Sequence, residues 1–161
     1  MKNYYSLAFL FIFFNMNSQI DSLKMNVDGF PKIENQLSGV SKSEIHDRVK
    51  SWINRTFREP ANVLKAEEKG SYIRIAATSS FTFKYMGNTT YDYDYNVEID
   101  INDESWSYRI FDVSMYRQRI PEYFYDSKGR MRTGKMYLKI RESFLNDVNR
   151  IYFSLNEFIN K

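Results

Sequence analysis

Residues Tyr91 to Asn102 read Tyr-Asp-Tyr-Asp-Tyr-Asn-Val-Glu-Ile-Asp-Ile-Asn. Tyr91, Tyr93, Tyr95, Val97, Ile99 and Ile101 alternate with Asp92, Asp94, Asn96, Glu98, Asp100 and Asn102. Successive side chains of a strand point to opposite faces, so this is a long strand with one apolar and one carboxylate-rich face. Such a strand belongs to an antiparallel sheet that is covered on one side and wet on the other.

The flanking residues extend the pattern. Ser71 to Met86 predicts a strand with Ile73, Ile75, Ala77, Phe81, Phe83 and Tyr85 on one face. Arg74, Thr78, Ser80, Thr82 and Lys84 take the other. Faces agree across the next turn only if its loop has an odd length. A three-residue loop, Gly87-Asn88-Thr89, sets Tyr85 opposite Tyr91 and Lys84 opposite Asp92. A turn over Asn102 to Ser105 then sets Trp106 opposite Ile101, Tyr108 opposite Ile99 and Arg109 opposite Glu98, giving a third long strand, Trp106 to Met115. Shorter strands are expected over Lys32 to Val40 and Val63 to Glu67.

Two helices complete the reading. Ser41 and Glu44 have the spacing of a capping box, and Ile45, Val49, Trp52, Ile53 and Thr56 follow on one face up to Phe57. Pro60 ends that helix. Tyr137 to Asn160 is a second, longer helix striped by Tyr137, Phe144, Leu145, Val148, Ile151, Tyr152, Leu155, Phe158 and Ile159, and interrupted by Arg141. Residues 116–136, with Pro121, Gly129 and Gly134, read as irregular. The sheet's aromatic face and the two helical stripes need cover and can supply it to each other. The expected fold is α+β, a two-layer sandwich of a four- or five-stranded antiparallel meander with two helices on one face.

At 161 residues the chain has the length of one domain. Its charge of +3 is slight, and it contains no cysteine, which excludes disulfides, thiolate metal sites and a cysteine nucleophile. Lys2 precedes an apolar run from Tyr4 to Phe14, broken by Ser6, and Asn15, Asn17, Ser18 and Gln19 follow. That run is far short of the roughly 20 apolar residues that span a bilayer, and reads instead as a secretory signal. The organisation is a signal peptide over 1–18, a flexible lead-in over 19–31 and one α+β domain over 32–161. The mature chain is expected to be exported, periplasmic or extracellular, with no transmembrane segment.

The signal-like start, the helix opened by Ser41-Lys42-x-Glu44 and carrying Trp52, the hairpin sheet, and Tyr108-Arg109-Ile110-Phe111 after a polar turn together carry a family resemblance. Over about residues 30–115 the chain resembles a bacterial exported family of unknown function (the domain of unknown function 4468 type) with a TATA-binding-protein-like fold. The resemblance implies an envelope or secreted location and a curved sheet backed by helices. It supplies no catalytic residues and does not imply DNA binding, because function lives in sites rather than folds. The chain holds one copy of the unit, where a DNA-gripping saddle needs two.

The chemistry-bearing residues are few. His46 is the lone histidine, and without cysteine or a second histidine it gives no zinc or nucleophile constellation; a surface or boundary position is expected for it. Asp92-x-Asp94-x-Asn96 opens like a calcium loop, but Val97 stands where the turn requires glycine. Same-face carboxylates on a strand are also roughly 6.5–7 Å apart. The ladder reads as a solvated face with Lys84 and Arg109 as cross-strand partners. No catalytic residue, metal site or cofactor is assigned.

The stretch from Tyr116 to Lys139 is the strongest binding candidate. Its cations and aromatics, above all Arg117, Arg119, Tyr123, Tyr125, Arg130, Arg132 and Lys135, interleave in the way that suits anionic ligands. Export makes nucleic acid the wrong partner and favours an anionic envelope lipid, a glycan or an envelope protein; a dimer is possible through an open sheet edge. The leading expectation is a non-catalytic, exported binding or structural domain of the cell envelope. The alternative is a carboxylate-dependent enzyme acting on an envelope glycan or similar small substrate through Asp92, Asp94 and Glu98.

Overall fold

The computed structural model describes residues 22–161, so the signal-like stretch 1–18 and the first residues of the lead-in lie outside the described residues. The chain runs through strand β1 (Ile33–Gln36), helix α1 (Lys42–Thr56), a single turn α2 (Pro60–Val63), and strands β2 (Leu64–Glu68), β3 (Tyr72–Lys84), β4 (Asn88–Asn102) and β5 (Ser105–Met115). It then passes through β6 (Gln118–Arg119) and α3 (Ile120–Phe124) to the long closing helix α4 (Lys135–Ile159). The strands form one antiparallel sheet in the order β1-β5-β4-β3-β2, and β6 pairs with the far end of β5. Helices α1 and α4 lie side by side on its apolar face, which is the two-layer α+β arrangement expected.

The register between β4 and β5 agrees with the sequence reading, pairing Ile101 with Trp106, Ile99 with Tyr108 and Glu98 with Arg109. The turn between β3 and β4 does not. The loop has three residues, but they are Tyr85-Met86-Gly87, so Lys84 faces Asn88 and Ser80 faces Asp92. Gly87 at φ +143 makes the turn, and Met86 shares it at φ +58. Because the slip is an even number of residues, every side chain stays on its expected face, and Phe81 pairs with Tyr91.

In α1 the Ser41 side chain accepts the Glu44 N–H at 3.3 Å, while the Glu44 carboxylate turns to Arg48 instead of closing the box. Ile45, Val49, Trp52 and Ile53 are buried, but Thr56, expected on the same face, is exposed. Trp52 donates its indole N–H to Ser154 Oγ at 3.1 Å, fixing α1 against α4. The stripe of α4 gains Ile140, and Phe144 is ringed by Phe30, Phe81, Tyr93 and Phe124. Pro60 opens α2 at its first turn rather than only ending α1, since proline costs no hydrogen bond there.

The lead-in, expected to be flexible, carries residues that pack. Leu23 and Met25 are buried, and the Asn149 side chain on α4 both accepts from Leu23 N–H (2.7 Å) and donates to its carbonyl (3.3 Å). Nor are residues 116–136 irregular throughout. They contain β6 and α3, whose Ile120 and Phe124 are buried.

Candidate functional site

The basic, aromatic stretch begins at a two-residue hairpin turn, Tyr116-Arg117, with φ of +54° and +63°. Positive φ at both positions is the type I′ signature, which suits the twist of paired strands. Strand β6 brings the chain back along the end of β5, and Pro121 sits in the first turn of α3. The next loop is built around Asp126. Its carboxylate accepts the backbone N–H of Lys128 at 2.8 Å and of Arg130 at 3.0 Å, and the Arg130 guanidinium closes on it at 2.9 Å. These bonds, the Arg130 backbone N–H first, hold the Asp126 carboxyl below its ordinary pKa. Gly129 at φ +71 lets the loop close, and Tyr125 and Met131 bridge across its neck.

Between this loop, α3 and the lead-in lies a cavity of about 450 Å³. Arg119, Tyr125 and Arg132 line it, together with Asp28, Glu122 and Asp126. Tyr125 is fixed by donating its hydroxyl to the Met25 carbonyl at 3.1 Å. Arg132 lies over the Tyr137 ring at 5.6 Å, and Arg119 reaches Glu122 only at 4.0 Å, so both guanidinium groups keep donors free for a ligand. Three of the seven residues expected from sequence therefore converge on one cavity.

The other four stand apart. Arg130 is spent on Asp126. Tyr123 packs against Phe124 and Tyr137, and burial first, then the neighbouring tyrosines, pushes its hydroxyl pKa up. Arg117 occupies the turn, and Lys135 the first turn of α4. Asp28, in the segment expected only to lead in, was not among the candidates. Its place in the cavity depends on Leu23 and Met25 docking on α4, a contact no local pattern announces.

On the open face of the sheet the carboxylates are engaged one by one. Asp94 accepts Thr78 Oγ1 at 2.6 Å, Glu98 accepts the Tyr72 hydroxyl at 3.1 Å and faces Arg109 at 3.6 Å, and Asp100 pairs with Lys32 at 2.9 Å. Arg109 is the cross-strand partner expected, whereas Lys84 sits opposite Asn88, four pairs from Asp92. Among the described residues no three carboxylate or imidazole groups converge as a metal site would require.

His46, expected at a surface or boundary position, is buried. It is 4% exposed, with Nε2 3.2 Å from a Glu67 oxygen, while Lys50 holds the other oxygen of the same carboxylate at 2.5 Å. Strand β2 folds back beside α1 and covers the ring.

The family model described as a domain of unknown function (DUF4468) with TBP-like fold matches residues 34–116. Two crystal structures share the fold: a DUF4468 family protein from Bacteroides ovatus and a TBP-like protein from Parabacteroides distasonis. Both superpose with a TM-score of 0.66 at 11% sequence identity over 81% of this chain, covering 85% of the former and 92% of the latter. At that identity the likeness carries the fold alone. No curated protein matches the chain.

Proposed function

We propose, for a chain that belongs to the family of domains of unknown function (DUF4468) with TBP-like fold, an exported, non-catalytic binding domain of the cell envelope whose cavity takes an acidic sugar. The observation that carries this reading is the cavity shared by Arg119, Arg132 and Tyr125 with Asp28 and Glu122. Two guanidinium forks suit a ligand carboxylate, and charge-assisted bonds are the strong ones. The carboxylates of Asp28 and Glu122 are acceptors for ligand hydroxyls, and Tyr125 supplies an aromatic wall. A simple anion uses only the cations and is repelled by the acids. An acidic sugar uses both.

The open sheet face argues against the partner of a TBP saddle, which reads DNA with its strands. Glu34, Glu68, Asp92, Asp94, Glu98 and Asp100 on that face outnumber Lys32, Arg74, Lys84, Arg109 and Arg119, so a phosphate backbone meets net negative charge there.

Calorimetric titration with glucuronic and N-acetylneuraminic acids tests the cavity. Arg119→Ala and Arg132→Ala are each expected to weaken binding by about tenfold or more, while the neutral parent sugars bind far less. Binding of neither acid, or binding indifferent to both arginines, would falsify the reading. N-terminal sequencing from the native host tests export: a start near Gln19 supports it, and a retained Met1 removes it.

A further inference from the structure

The end of the sandwich beyond the sheet's two hairpin tips carries a second surface. Met86, at the β3–β4 tip, is 98% exposed, and Tyr116, at the β5–β6 tip, is 68% exposed. The N-terminal turn of α4 reaches the same end. Lys139 donates to the Lys84 carbonyl at 3.2 Å, and from that contact Met86 lies two residues farther out, in the loop beyond the last strand pair, and Lys135 one helical turn outward, about 6 Å. Met136 and Leu138, on that first stretch of helix, are also exposed. Just inside them the tyrosines form a belt: Tyr91 packs on Tyr116 at 5.1 Å and Tyr123 on Tyr137 at 5.6 Å.

The residue types at the tips are not those the backbone favours. Met86, Tyr116 and Arg117 all have φ between +54 and +63, where glycine, asparagine and aspartate are preferred. Large apolar and cationic side chains there cost stability and gain no packing in return at Met86. The fold does not account for them, and a property of the surface does.

We propose that this end docks on an anionic lipid bilayer, with Met86 and Tyr116 entering the headgroup layer, the tyrosine belt at its boundary, and Arg117, Lys135 and Lys139 meeting lipid phosphates. An apolar tip, a tyrosine girdle and flanking cations are the three components of interfacial binding. Three acidic groups accompany this end: Asp92 beside Tyr116, Glu142 one turn inward from Lys139 on α4, and Glu122, paired with Arg119 and next to Tyr123 of the belt. None of the described helices is long and apolar enough to cross a membrane, and the contact proposed is a peripheral one. The proposal does not use the sugar cavity, and its failure leaves that reading untouched.

The test uses the chain from Gln19, which retains every described element, and vesicles of phosphatidylcholine with or without about one-third phosphatidylglycerol. Partition is expected only with the anionic lipid and is expected to fall with salt. Met86→Asn, and Tyr116→Asn with Arg117→Gly, install residues suited to positive φ, so melting temperature holds or rises. Each is nevertheless expected to lower partition by about tenfold. Because the chain has no cysteine, Met86→Cys can be labelled uniquely with an environment-sensitive fluorophore, whose emission is expected to shift blue on anionic vesicles alone. No partition, partition indifferent to the tip variants, or an unshifted label on bound protein overturns the proposal.

Discussion

Asp147 ties α4 to the sheet through one carboxylate. Its Oδ2 accepts the Tyr93 hydroxyl and Ser79 Oγ, both at 2.8 Å, and Oδ1 takes the Arg150 guanidinium at 3.0 Å. The Asp147 side chain is only 10% exposed, whereas that of Arg150 is 68% exposed, and Arg150 is held above its ordinary pKa, chiefly by its hydrogen bond to Asp147. Removing the carboxylate leaves two hydroxyl donors without an acceptor, that of the buried Tyr93 among them, while the exposed Arg150 guanidinium turns to water. Asp147→Ala is therefore expected to lower stability by about 2–4 kcal/mol in urea denaturation. Ser79→Ala, which leaves the other two contacts in place, is expected to cost about 1 kcal/mol. Equal costs would show that the residues do not share one site. The helical wheel sets Asp147 among polar residues and cannot reveal this role, because its partners come from strands more than fifty positions away. His46 was opaque for the same reason: its cover, Glu67, belongs to another element.

Among the elements, β5 shows how one residue redirects a strand. Its inward side chains are Trp106, Tyr108 and Ile110, then Val113 and Met115, so the buried parity switches from even to odd. The switch occurs at a bulge between Phe111 and Ser114, where Asp112 has φ +48. An extra residue on one strand restores the apolar face after the bulge and twists the tip toward α3. Inserting one residue after Asp112 is expected to turn Val113 and Met115 to the open face, at a cost of about 3 kcal/mol or more. Asp112→Gly keeps the bulge and is expected to stay within about 0.5 kcal/mol of the parent. Thermal melts of the two variants separate the roles: similar losses would mean that residue chemistry, not strand length, matters at this position. The alternation that defines β3, β4 and the first part of β5 is legible in the sequence, whereas the bulge in β5 is absent from that reading, which runs Trp106 to Met115 as one regular strand. Nor was the exact pairing at the β3–β4 turn written there. Face agreement fixes a register only to within two residues, and Tyr85-Met86-Gly87 satisfies it as well as Gly87-Asn88-Thr89. The same limit applied to the site: interleaved cations and aromatics marked the right segment, yet only tertiary docking selected Arg119, Tyr125 and Arg132 from it.

For the whole molecule, the tyrosine-rich core makes stability depend on alkaline pH. Tyr93, Tyr95 and Tyr108 are buried with their hydroxyls, and burial is the leading cause that raises all three above the ordinary value of 10, with Tyr95 pushed up to about 12. The Asp147 carboxylate adds to the rise at Tyr93 and Tyr95, and for Tyr108 the adjoining Tyr95 and Tyr152 contribute. A group whose folded pKa is raised binds its proton more tightly in the native state. Its stabilising effect is complete below the unfolded value and is lost as pH climbs past it. Between about pH 10 and 12 the unfolded chain releases three protons that the native chain retains, each worth about 1.4 kcal/mol per pH unit. Stability at pH 11 is therefore expected to be lower than at pH 9 by about 4 kcal/mol, read from urea midpoints at fixed ionic strength. Tyr108→Phe provides the internal control. The Tyr108 hydroxyl is buried without a partner among the described residues, so its removal is expected to leave stability at pH 8 unchanged or raised by about 1 kcal/mol. At the same time it should flatten the alkaline slope by about a third. An unaltered slope in that variant would mean that the native state releases the Tyr108 proton as readily as the unfolded chain, and hence that this core admits water.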